Sequence, residues 1–168
     1  MKMLSCTAAL AAVVVSGCAT NPETLSCMQP NRRVVVEVGG TKEKPPAKPG
    51  AKPGRPDNVA LKALAQGDNA WDFGSAKLKP GGQAELDKLV KTIHEGAGRD
   101  KRPTKVSSII ITGYSGKYEF EEGKTSLDEE RAQAVRDYLV KKGLNEKQMF
   151  WEGKDAKDPV PVTKFCES

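Results

Sequence analysis

This sequence offers little for catalysis to work with. Histidine occurs once, at His94, and no Ser–His pair or motif-placed pair of carboxylates supplies a nucleophile with its base, so an enzyme is not expected. Aromatic residues make up 5% of the chain, and no zinc ligands or RNA-binding motif interleave with the basic side chains. The net charge of +5 therefore points toward acidic polymers or anionic surfaces and not toward nucleic acid. Long apolar runs are missing too. The stretch from Leu4 to Val15 falls short of the ~20 residues that a transmembrane helix requires. What remains, 38% hydrophobic and 29% charged residues over 168 positions, suits one α/β or α+β domain accompanied by a signal and a linker.

The opening residues point to the compartment. "MKMLSCTAALAAVVVSGC" has one basic residue, Lys2, then the apolar run, then small residues, which is the layout of a signal peptide over residues 1–17. Its end, Val15 to Cys18, resembles a bacterial lipobox. That resemblance implies that Cys18 becomes the first mature residue and carries the lipid, palmitate included. Ala19 follows in place of Asp, which in that pattern implies an outer-membrane lipoprotein on the periplasmic face. Cys6 leaves with the signal, so Cys27 and Cys166 remain as thiols, and two cysteines in an oxidising compartment allow a single intramolecular pairing. With His94 they cannot complete a tetrahedral metal site, and no metal or cofactor is expected. His94 stands at the end of an amphipathic helix and is expected at the surface.

Beyond a tether over 18–26, residues 27–40 hold a strong strand. In "RRVVVEVGG", Val34, Val36 and Val38 share one face, Arg33 and Glu37 the other, and Gly39 and Gly40 end it. Residues 41–57 are rich in Pro and Lys, with "KPG" twice, a composition that forms an extended solvated linker and not a core. The rest of the domain occupies 58–168. "NVALKALAQ" predicts a short helix before Gly67, and "AWDF" a short strand at Ala70 to Phe73. Pro80 opens a helix with Leu86, Leu89, Val90 and Ile93 in one stripe. "VSSIIITGYS" reads as a strand buried enough to carry three consecutive isoleucines. "SLDEERAQAVRDYLVKKGL" reads as a second helix. Ser126 and Glu129 would form its capping box, Val135, Tyr138 and Leu139 its apolar face, and Gly143 its stop, with Leu144 as the apolar clasp. "QMFWEG" is the last strand.

Taken in order, "WDFGSAKLKPGGQAELDKLV", "IIITGYS", "LDEERAQAVRDYLVKKGL" and "GKDAKDPV" resemble the OmpA-like peptidoglycan-associated domain, also found in Pal lipoproteins and the MotB stator protein. The resemblance covers about two thirds of the chain and is most specific at "RAQAVRDYLVKKGL". It implies an α+β fold of two layers in the order β-α-β-α-β-β, ending in a Cys, a short linker, a second Cys and "xPxRRVxIEV". Here "DPVPVTKFC" stands at the C terminus and "CMQPNRRVVVEV" at the N terminus, so the resemblance implies a circular permutation that brings the last, central antiparallel strand to the front. A Cys27–Cys166 disulfide would then re-close the cut, and bridging nearly the whole domain would contribute ~4–5 kcal/mol.

The same resemblance implies a site. OmpA-like domains bind the peptide stem of peptidoglycan, where an Asp after the second strand and an Arg early in the second helix clamp the zwitterionic end of diaminopimelate. An Arg matches a carboxylate through paired hydrogen bonds. In this sequence Arg131 stands at the Arg position, its alternative role being a surface ion pair with Asp128. Gly113, Tyr114 and Ser115 match the Gly-aromatic-small run, but Gly116 occupies the Asp position and Lys124 that of a usual Asn. Losing that carboxylate removes a charge-assisted bond of ~1.5–3 kcal/mol. Glu119, Glu121 and Glu122 are expected on a solvated face, with reach into the pocket as the alternative. The function implied is that of an outer-membrane lipoprotein whose periplasmic domain associates non-covalently with peptidoglycan. The alternative is a degenerate scaffold that does not bind diaminopimelate and instead contacts other envelope proteins.

Overall fold

The computed structural model describes residues 27–44, 54–121, 126–156 and 158–161. The expected signal and tether with Cys18, most of the expected Pro-rich linker, Lys124 and Cys166 lie outside them. A 3-10 turn at Gln29–Asn31 leads into β1 (Arg33–Lys42), followed by β2 (Asp57–Gln66), a single helical turn α1 (Gly67–Ala70), α2 (Pro80–Glu95), β3 (Lys105–Tyr114), the short α3 (Lys117–Glu121), α4 (Leu127–Lys141), a 3-10 turn at Glu146–Gln148 and β4 (Met149–Gly153). The strands make one sheet in the order β2-β1-β3-β4. β1 is antiparallel to both neighbours and β4 runs parallel to β3. This is a mixed α+β domain in which the first of the described strands lies inside the sheet.

Alternation explains why β1 belongs there. Val34, Val36 and Val38 are almost fully buried and point at the helices, opposite Ile111 and Ile109 of β3. Glu37 points away and pairs with Lys62 at 3.2 Å. The strand does not stop at its glycines: it continues to Lys42, with a register shift between Gly39 and Gly40.

Further expectations about local structure are corrected. The segment 58–66 is a strand, not a helix. Its Ala and Leu content favours a helix, but nine residues are below the ~12 at which an isolated helix is even marginal. Its period-two set wins instead, with Leu61, Ala63 and Ala65 facing Val38, Val36 and Val34 across the β1–β2 ladder. Consequently Ala70 to Phe73 form no strand, because β2 already holds the edge of the sheet, and Trp71 turns inward as a fully buried core residue. Only two of the three isoleucines are buried. Ile110 is 44% exposed, since period two sends it to the face that none of the described helices covers.

Helices α2 and α4 close the other face. Leu86, Leu89 and Ile93 of α2 and Ala132, Val135 and Leu139 of α4 join the β1 and β3 side chains in one core, with Val90 and Tyr138 packed against it. His94 lies exposed in the last turn of α2. The expected capping box at Ser126 is not formed: Ser126 makes no cap to the backbone, and its hydroxyl bonds the Glu130 carboxylate instead. The C-terminal stop does form. Gly143 takes φ +92°, its N–H donates to Val140 O and that of Leu144 to Leu139 O, while Leu144 is buried beneath the turn.

Candidate functional site

The start of β1, the end of β3 and the start of α4 meet at one pole of the sheet. β3 delivers Gly113, Tyr114, Ser115 and Gly116 there, and Arg33 of β1 pairs with Tyr114, its guanidinium 3.8 Å from the ring centre. The start of α4 presses so closely on the ends of β3 and β4 that a Cβ on Gly113 would overlap the Asp128 carbonyl, and one on Gly153 the Asp128 carboxylate. That carboxylate is spent on the chain turn after β4, accepting from the Asp155 N–H at 2.7 Å. Asp128 is therefore not the partner of Arg131.

Arg131 is fully buried, and its side chain is engaged on every nitrogen. Nη1 donates to Glu119 Oε2 at 2.9 Å and Nη2 to Glu119 Oε1 at 2.7 Å, while Nε donates to the Ser75 carbonyl at 3.0 Å and Nη2 also to the Asp72 carbonyl at 3.4 Å. The guanidinium carbon stands 5.6 Å from the Trp71 ring centre. Trp71 is fixed in turn by its indole N–H on the Ala65 carbonyl at 3.1 Å.

Glu119 meets two further donors. The Gly74 N–H donates to Oε1 and the Gly116 N–H to Oε2, both at 2.8 Å. One carboxylate thus sits in a cradle of an arginine fork and two backbone amides, with both ionic side chains wholly shielded from solvent. Burial pushes the Glu119 carboxyl up, but the Arg131 hydrogen bonds and charge, followed by the two amides, outweigh it and hold the group below its ordinary value.

The expected site residues fall as follows. Arg131, Ser115 and Gly116 come together at this pole, all buried. The Ser115 N–H donates to the Asp155 carbonyl at 3.1 Å. Lys124 and Glu122 lie outside the described residues, as does the side chain of Glu121. The expectation of a solvated face does not hold for Glu119, which fills the space beside Gly116. A legible signal existed. Gly116 is the residue before α3 and Glu119 its third, which is the spacing at which a glutamate folds back onto the N-terminal amide of its own helix. Arg32, not among the expected site residues, also joins this pole. It is buried, ion-paired to Asp68, 5.9 Å from the Phe73 ring centre, and its Cγ lies 3.8 Å from where a Gly116 Cβ would be.

Fold and site together define a small α+β domain with a polar end built around a carboxylate. Residues 70–165, more than half of the chain, match the OmpA family, and the chain belongs to it. It is 29% identical over 113 residues to outer membrane protein A of Bordetella avium, covering 67% of this chain and 54% of that protein. It is 34% identical over 93 residues to outer membrane protein A of Klebsiella aerogenes, covering 55% of this chain and 25% of the relative. The chain thus spans about half or less of the length of these relatives. Among solved structures it is similar to the OmpA-like domain of FopA1 from Francisella tularensis, with a TM-score of 0.43 at 23% identity over 59% of this chain and 61% of that one.

Proposed function

We propose that this chain is an outer-membrane lipoprotein, anchored through Cys18, whose periplasmic OmpA-like domain associates non-covalently with peptidoglycan. The observation that carries the reading is the cradle of Arg131, Gly74 N–H and Gly116 N–H closed on a carboxylate. Paired guanidinium bonds with two amides are what the carboxylate of a stem peptide needs, and the role is recognition without catalysis. Family membership, with relatives that are outer membrane proteins A, supports the envelope location.

The permutation belongs to the same proposal. β1 carries the "RRVVVEV" segment and lies between β2 and β3, antiparallel to both, which is where a final antiparallel strand of the family would lie. The family match begins only at residue 70. Cys27 is disulfide-bonded, and Cys166 is the partner we propose, since Asp158 and Val160, shortly before it, already bond Arg33 and Asn31, shortly after Cys27.

A second reading has its own support. The cradle is already full, Gly116 brings no carboxylate of its own, and Ile110 and Phe150 are exposed on the uncovered sheet face. A scaffold of this kind, without diaminopimelate binding, would attach to other envelope proteins. Co-sedimentation of the mature chain with purified sacculi separates the two. The wall reading expects the chain in the pellet and its release by soluble stem peptide carrying diaminopimelate. A folded chain that stays in the supernatant would leave the scaffold reading.

A further inference from the structure

We propose that Glu119 is an intramolecular competitor, occupying the Arg131–Gly74–Gly116 cradle as a carboxylate ligand would, so that the pocket accepts an external carboxylate only when Glu119 gives it up. The inference rests on the binding role proposed above for this cradle and adds a residue that sets its affinity. Three observations carry it. The carboxylate takes all the donors that converge there, one amide and one guanidinium nitrogen on each oxygen. Neither member of the pair is exposed, so no approach to the guanidinium exists while Glu119 is in place. And Glu119 is delivered by α3, a helix of five residues, far below the ~12 that a helix needs to hold itself. The bonds of its carboxylate are therefore part of what positions α3.

Chemically, an incoming carboxylate exchanges for a resident one. No donor is lost and no charge is left alone, because the guanidinium passes from one anion to the other while Glu119 passes to solvent. The affinity of the wall ligand is then its intrinsic value reduced by the fraction of molecules in which Glu119 is out.

The test uses the mature chain carrying Glu119→Ala or Glu119→Gln, the second keeping the side-chain volume should the first fold poorly. Sodium acetate, with sodium chloride as the ionic control, serves as the carboxylate probe. The melting temperature of the variants is expected to rise with acetate well beyond the chloride control, while that of the unmodified chain does not respond. On sacculi, the variants are expected to reach half-maximal co-sedimentation at ~10-fold lower ligand than the unmodified chain. A variant that melts the same in acetate as in chloride would overturn the competitor, as would a variant that binds sacculi no better than the parent while the parent binds. Acetate rescue without sacculus binding by any chain would leave the competitor standing and remove the wall reading.

Discussion

At the scale of single residues, the energetics of the cradle turn on two charges that have left water. Desolvating a guanidinium and a carboxylate costs several kcal/mol each, and their attraction offsets that only because every lone pair and proton finds a partner. Here the Arg131 fork, both glycine amides and the Ser75 and Asp72 carbonyls provide them. Removing one member leaves the other buried and alone. Arg131→Ala is therefore expected to destabilise the domain by ~3–5 kcal/mol in urea titrations, and loss of wall binding in that variant reports unfolding as much as recognition. The pH dependence follows from the same pair. Glu119 titrates below its ordinary value in the folded chain, so the unfolded chain holds the proton more tightly. Its contribution is fully present above the unfolded carboxyl value of ~4.3 and is lost as pH falls through the lower folded one. Urea midpoints taken downward from neutral pH should therefore show the gap between the unmodified chain and Glu119→Gln closing only below about pH 4. A gap that closes at higher pH would place the folded Glu119 above, not below, its ordinary value.

At the scale of elements, the legible part of the fold was what repeats. The valines of β1, the stripe of α2 and the Gly143–Leu144 stop of α4 follow from periodicity and backbone conformation alone, and all are in place. What misled was propensity without a partner. Residues 58–66 contain good helix formers, and only the facing strand β1, contributed from across the Pro-rich linker, makes their period-two set decisive. The cradle was half legible. Arg131 was visible from the family motif, whereas its counter-ion depended on α3 forming and folding back. The approach of α4 to the strand ends gives an element-level test. A Cβ at Gly113 would meet the Asp128 carbonyl, backbone that cannot rotate away. Gly113→Ala is expected to cost ~3 kcal/mol or more, read as a lowered urea midpoint. The same change at Gly98, where nothing lies near the added carbon, has no steric neighbour to displace, although its φ of +57° adds backbone strain. A Gly113→Ala chain as stable as its parent would mean that α4 does not press on β3 as described.

At the scale of the whole molecule, the described chain starts and ends at the pole of the cradle, and β1 turns back into β2 at the other. Arg32 and Asn31 lie at the first pole with Gly116 and Val160. At the far pole both ends of the linker are tied to the loop after α2. Arg102 bonds Asp100, Asp57 and the Glu43 carbonyl, Lys42 reaches Asp100 and Lys44 reaches Asp57. The Asp100 carboxyl is held far below its usual range, chiefly by the side-chain and backbone bonds of Arg102. The central strand β1 is thus covalently joined to the rest of the domain by the linker at one end and, as proposed, by the Cys27–Cys166 bridge at the other. Losing such a bridge costs ~2–5 kcal/mol in small secreted domains. A specific protease site placed within residues 45–53 tests this arrangement directly. After cleavage without reductant, the chain should run as one species on a denaturing gel, because the bridge spans the cut. With reductant it should separate into two pieces, one holding β1. Separation without reductant would show that Cys27 pairs elsewhere, and the re-closed permutation would fall with it.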